Sequence, residues 1–101
     1  MTVSATNDER LGRVVAILKR FPEVRRVILF GSWAIGDWDE RSDIDIVVSA
    51  TGIDFRRWAV IAAVVDEART LLRIDLVWLE DASEAFALEI GRTGRVIFER
   101  A

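Results

Sequence analysis

The stretch from residue 43 to residue 79 places the tightest constraint on the fold. Asp43 to Ser49 (DIDIVVS) and Ile74 to Leu79 (IDLVWL) are β-branched, apolar runs of the kind that form buried strands. Between them, after the Ala50-Thr51-Gly52 break, Asp54 stands where it can cap a helix reaching to about Leu72. That segment sets Trp58, Ile61, Val64, Val65, Ala68, Leu71 and Leu72 against Arg56, Asp66, Glu67, Arg69 and Thr70. A helix joining two strands in this way is a crossover. It makes the strands parallel neighbours that begin at the same end of a sheet, with the connection right-handed.

The flanking segments fill in the rest. Thr6-Asn7-Asp8-Glu9 has the T-x-x-E form of a capping box, followed at helical spacing by Leu11, Val14, Val15, Leu18 and Phe21. Phe21 precedes Pro22, the single proline, and this disfavours helical backbone and ends the first helix. Val24 to Phe30 (VRRVILF) reads as a strand broken by Gly31-Ser32, with a short helix over 32–35 and a polar loop over 37–42. The 11-position gap between Ser32 and Asp43 suits an antiparallel return to the next strand. Asp81 with Glu84 at cap spacing opens a helix through about Ile90, Gly91 and Gly94 end it, and Val96-Ile97-Phe98 forms an edge strand. The alternation predicts an α/β (α+β) fold, a small mixed β-sheet flanked by helices, with residues 1–101 as one domain.

Composition removes most catalytic chemistries. There is no cysteine and no histidine, which excludes thiol nucleophiles, disulfides, imidazole bases and zinc sites of the usual kind. Carboxylate, hydroxyl and Lys/Arg chemistry remain, which suit a hard cation such as Mg²⁺. A net charge of −3 without any basic run argues against direct nucleic-acid binding, though a single nucleotide needs only a local site. The opening MTVSATNDER lacks an apolar signal-type region, and no apolar run is long enough to span a bilayer. With an intracellular nucleotide as ligand, the expectation is a cytoplasmic protein with no membrane partner.

Asp43 and Asp45 lie two apart on a strand, so their side chains share one face. Acids at a strand start are most often merely solvated, and D-x-D alone is a weak signal. Asp75 changes the balance, because the crossover brings the start of its strand beside Asp43 and Asp45. Three acids with no basic partner nearby in sequence fit one or two divalent cations. The antiparallel return also sets Gly31-Ser32 next to these acids, where glycine permits close approach of a ligand and free N–H groups attract an anion. Trp58 and Trp78 read as core. Trp33 and Trp38 divide evenly between ligand or partner contact and local packing. Arg25-Arg26 and Arg56-Arg57 read as solvated faces.

Gly31-Ser32, the 11-position gap, Ser42-Asp43-Ile44-Asp45-Ile46 and Ile74-Asp75-Leu76-Val77 together resemble the nucleotidyltransferase superfamily of DNA polymerase beta. The resemblance is to its minimal branch, the MNT domains, and it extends to the closing Gly94-Arg95-Val96-Ile97-Phe98-Glu99. It implies transfer of a nucleoside monophosphate from an NTP, with ATP as the expected donor, to an acceptor hydroxyl. Asp43, Asp45 and Asp75 would hold two Mg²⁺ ions, and Asp75 would help activate the attacking hydroxyl. Gly31 and Ser32 would hold the β- and γ-phosphates, with Arg41 the one positive residue in the following loop. Several members of that branch are antitoxins of small all-helical HEPN-type toxins, and some adenylylate a toxin tyrosine. The resemblance therefore implies an antitoxin of a HEPN/MNT pair, with a partner chain supplying the acceptor and an oligomer compatible with the sequence. The alternative is a catalytically weak or inactive antitoxin that acts by binding. The departure that motivates it is Trp33 and Ile35, which stand where a G-S-R-A-R-G pattern carries basic residues.

Overall fold

The computed structural model describes residues 9–31, 44–68 and 74–100. The short helix expected over 32–35, the loop after it, the start of the capping box and the last turn expected of the long helix lie outside them. Helix α1, Glu9–Lys19, buries Leu11, Val14 and Leu18, the stripe that the helical spacing predicts. Its end tightens: Arg20 N–H donates to the Ile17 carbonyl and Phe21 N–H to the Leu18 carbonyl, each at 3.1 Å. These i→i−3 bonds close the helix just before Pro22 and hand the chain to strand β1, Val24–Phe30.

Strand β2, Ile44–Ala50, runs antiparallel to β1, and helix α2, Phe55–Ala68, carries the chain over to β3, Ile74–Trp78, which is parallel to β2. Asp54 caps α2, its Oδ1 accepting from Arg57 N–H at 2.9 Å. A 3₁₀ turn over Leu79–Asp81 leads to helix α3, Glu84–Thr93, and then β4, Arg95–Glu99, pairs antiparallel with β1. The sheet order among the described residues is β3-β2-β1-β4. The parallel and antiparallel directions, and the mixed sheet, follow the sequence reading.

Two details differ from it. Asp81 belongs to the 3₁₀ turn, and the cap of α3 is Ser83, which accepts from Phe86 N–H at 3.1 Å. The turn places the helix start two residues further on, where the serine hydroxyl reaches the third helical N–H. Gly91 does not stop α3 either. The helix continues to Thr93, and Gly94 caps it by donating to the Ile90 carbonyl at 2.8 Å.

The two faces of the sheet pack differently. Val24, Val27, Leu29, Ile44, Ile46 and Val48 are buried against Leu11, Val14 and Leu18 of α1 and Trp58, Ile61 and Val65 of α2. Each such Leu, Ile or Val contributes about 1.5–3 kcal/mol by leaving water. The opposite face carries a smaller cluster, Ile28 and Val47 under Ile90, with Phe30, Val77, Leu79 and Phe86 around it. On β4 the register shift makes Ile97 an extra residue between the partners of Val27 and Ile28. Ile97 and Phe98 therefore both pack toward the α1/α2 side.

The far end of the β2–β3 pair is secured by side chains. Ala50 N–H donates to Glu80 Oε1 at 2.9 Å, Ser49 Oγ–H donates to Glu80 Oε2 at 2.6 Å, and Trp78 Nε1–H donates to the Ala50 carbonyl at 2.9 Å. The Trp78 ring stacks on Trp58 at 5.8 Å, so both tryptophans read as core do pack internally. Arg100 ties the end of β4 to the α1–β1 connection, donating to the carbonyls of Val24 and Lys19 at 3.0 Å each.

Candidate active site

Phe30, Asp45 and Asp75 stand side by side across β1, β2 and β3: Phe30 is the register partner of Asp45, and Asp45 that of Asp75. Two residues further along, Ile28, Val47 and Val77 belong to the smaller cluster under α3. Strand alternation therefore puts the two carboxylates on that same α3-side face, at the sheet end where β1 finishes and β2 and β3 begin. Phe86 of α3 meets Phe30 edge-on at 5.5 Å, walling the β1 side of the row. Asp45 is half-buried and Asp75 exposed.

Parallel neighbours in register have backbones about 4.8 Å apart. Two negative charges at about that separation repel by roughly 1 kcal/mol in water and roughly 3 kcal/mol where water is half excluded. A positive group between them reverses that sign.

Gly31 completes the described part of the site. Its φ is +71°, a left-handed conformation that L side chains rarely adopt, and a Cβ built there would lie 2.5 Å from Asp45 Oδ2. The backbone at the end of β1 thus comes against the Asp45 carboxylate with no room for a side chain. Oxygen donors on rigid strands beside an uncovered backbone fit a hard divalent cation better than a soft one. Among the described residues no group of three or more acids is gathered, and Asp43 lies outside them.

A family model described as "Polymerase beta, Nucleotidyltransferase" matches residues 13–101. The chain belongs to the polymerase beta nucleotidyltransferase family. Among relatives of this nucleotidyltransferase-family chain is a protein of Methanocaldococcus jannaschii whose name assigns it provisionally to the protein adenylyltransferases. It is 41% identical over 44 residues, covering 35% of this chain and 44% of the relative, so less than half of that protein is matched. A toxin-antitoxin complex solved with AMP-PNP is similar at 26% identity and TM-score 0.63, covering 93% of this chain and 74% of that one. A third likeness is a complex of a tri-AMPylated Shewanella oneidensis HEPN toxin with its MNT antitoxin, at 24% identity and TM-score 0.61, covering 91% and 71%. That likeness bears on fold.

Of the residues singled out in the sequence, Gly31, Asp45 and Asp75 are brought together. Ser32, Arg41 and Asp43 lie outside the described residues, as do Trp33, Ile35 and Trp38. Phe30 and Phe86 were not anticipated as neighbours of the acids. The signal for Phe30 was its place immediately before Gly31, in phase with Ile28; for Phe86 no local signal exists. Arg57 is occupied away from the site, ion-paired through Nε with Glu23 and lying 5.1 Å over the Phe21 ring. Arg57 holds the Glu23 carboxyl below the usual range, chiefly through that hydrogen bond. No described helix is long and apolar enough to cross a membrane.

Proposed function

We propose that this chain is a minimal nucleotidyltransferase domain that moves AMP from ATP to a hydroxyl of a partner protein, as the antitoxin of a HEPN-type toxin. The observation carrying the reading is the register pairing of Asp45 with Asp75 beside Gly31. Support for the donor comes from the 26% identical toxin-antitoxin complex holding AMP-PNP, and for the acceptor class from the adenylyltransferase name of the archaeal relative. The tri-AMPylated HEPN toxin beside an MNT antitoxin supplies a precedent on the same fold.

Asp43, Asp45 and Asp75 are assigned to hold Mg²⁺, which when bound supplies charge neutralisation at the phosphates and acidifies the attacking hydroxyl. The backbone at Gly31 and the Ser32 hydroxyl hold the β- and γ-phosphates, and Arg41 adds positive charge. The acceptor oxygen forms a bond to the α-phosphorus and the bond to the β-phosphate oxygen breaks. Pyrophosphate leaves, and the acceptor proton passes to the Asp75 carboxylate. The cytoplasm, where ATP is available, is the assigned compartment.

The test is transfer of label from [α-³²P]ATP to the all-helical partner with Mg²⁺, for wild type and for Asp43→Ala, Asp45→Ala and Asp75→Ala. Label on the partner with wild type and none with the variants is the expected result. No transfer by wild type, with protection from the toxin intact, would replace this reading by the second one. In that case the fold neutralises its partner by contact, as the Trp33 and Ile35 departure from the basic pattern suggests.

A further inference from the structure

Helix α2 buries Trp58, Ile61 and Val65 and turns Arg56, Ala59, Val60, Ala63 and Glu67 to the opposite side, all exposed. Solvent-facing stripes of surface helices are normally polar. Here the middle of the stripe is apolar, and Val60, a β-branched residue that slightly disfavours helix, remains 47% exposed. The ends carry opposite charges. Arg56, Val60, Ala63 and Glu67 follow one another at i, i+4, i+7 and i+11, spanning roughly 16 Å along the axis.

This order is its own complement when reversed. Two copies of α2 laid antiparallel about a two-fold axis between Ile61 and Ala62 place Arg56 against Glu67 of the second copy at both ends. Val60 then meets Ala63 of the second copy. The small side chains of Ala59 and Ala63 allow the helices to approach at the close end of the usual 8–10 Å spacing. A parallel pairing would set Arg56 against Arg56. We propose that α2 is the contact between two copies of this chain in a two-fold dimer, with the acid row of each copy left open. An isologous patch of this kind closes on itself and does not propagate. One short helix per side is a small interface, so the dimer is weak, with a Kd on the order of 100 µM.

Sedimentation equilibrium of the whole chain across that concentration range tests it, with circular dichroism confirming that each variant is folded. Wild type is expected to shift from monomer to dimer mass. Ala63→Glu is expected to stay monomeric, and Arg56→Glu to weaken association at least tenfold. The double variant Arg56→Glu/Glu67→Arg is expected to restore it, since the charges then meet in exchanged positions. A wild type monomeric throughout, or a dimer indifferent to Ala63→Glu and to the charge exchange, overturns the proposal. So does a monomer whose α2 is protected from hydrogen exchange only on adding the helical partner, because the stripe would then belong to that partner.

Discussion

Replacing Gly31 with alanine separates two costs that the structure keeps distinct. The first is backbone: an L residue held at φ +71° costs about 1–2 kcal/mol. Gly52 has the same demand at φ +74°, but a Cβ there meets nothing within 4 Å. Gly52→Ala therefore measures the backbone part alone, and the entropy that alanine removes from the unfolded chain cancels between the two variants. The second cost is the approach of the new methyl group to 2.5 Å from Asp45 Oδ2, which forces the carboxylate out of its rotamer for about 1 kcal/mol. Gly31→Ala should thus exceed Gly52→Ala by about 1 kcal/mol, or about 4–8 °C in Tm for a domain near 100 residues. In an Asp45→Ala background, where the oxygen is gone, the excess should vanish. Urea unfolding at unchanged m-value reads both differences. Titration with Mn²⁺ adds a site-specific readout, with affinity falling for Gly31→Ala and holding for Gly52→Ala. Equal destabilisation by the two glycine variants, or an excess that persists without the Asp45 carboxylate, refutes the reasoning.

Three further outcomes are expected. Asp75→Asn removes a negative charge beside Asp45, so without divalent cation stability should hold or rise slightly; Mg²⁺ should raise the Tm of wild type and leave the Asp75→Asn variant unchanged. Glu23, whose carboxyl is held below its ordinary pKa by Arg57, stabilises the fold above the unfolded-state pKa and loses that contribution as pH falls through the depressed folded value. Glu23→Gln should therefore flatten the acid limb of the stability–pH curve below about pH 4.5 and leave its neutral-to-alkaline shape unchanged, as chemical denaturation at a series of pH values would show. Trp78→Phe keeps a ring against Trp58 but leaves the Ala50 carbonyl without its indole donor, costing about 1–2 kcal/mol in denaturant melts.

The strand directions were legible because one amphipathic helix lies between DIDIVVS and IDLVWL, and chain geometry leaves a crossover little choice. The apolar stripes of α1 and α2 were legible for the same reason, since Leu11, Val14, Leu18, Trp58, Ile61 and Val65 declare their faces by spacing alone. Register was not legible. The pairing of Asp75 with Asp45 goes together with the bonds of Glu80 and Trp78 to Ala50, contacts about 30 positions apart in sequence that no local pattern announces. The start of α3 is ambiguous in sequence because Asp81-x-x-Glu84 and Ser83-x-x-Phe86 both offer a cap, and a 3₁₀ turn after β3 decides between them. Gly91 has the look of a stop, although glycine inside a helix costs only about 1 kcal/mol and tertiary packing of Ile90 outweighs it.

The parallel pairing of β2 with β3 also governs when the acids can meet during folding. Phe30 and Asp45 pair across 15 positions of sequence, whereas Asp45 and Asp75 are 30 positions apart and are joined through the α2 crossover. Closing that larger loop is entropically the slower step. A cation or nucleotide that needs both carboxylates is therefore a ligand of the finished sheet alone. Binding of such a ligand would draw partly assembled chains toward the native state, and a chain with a frayed β3 lacks the paired carboxylates that it needs.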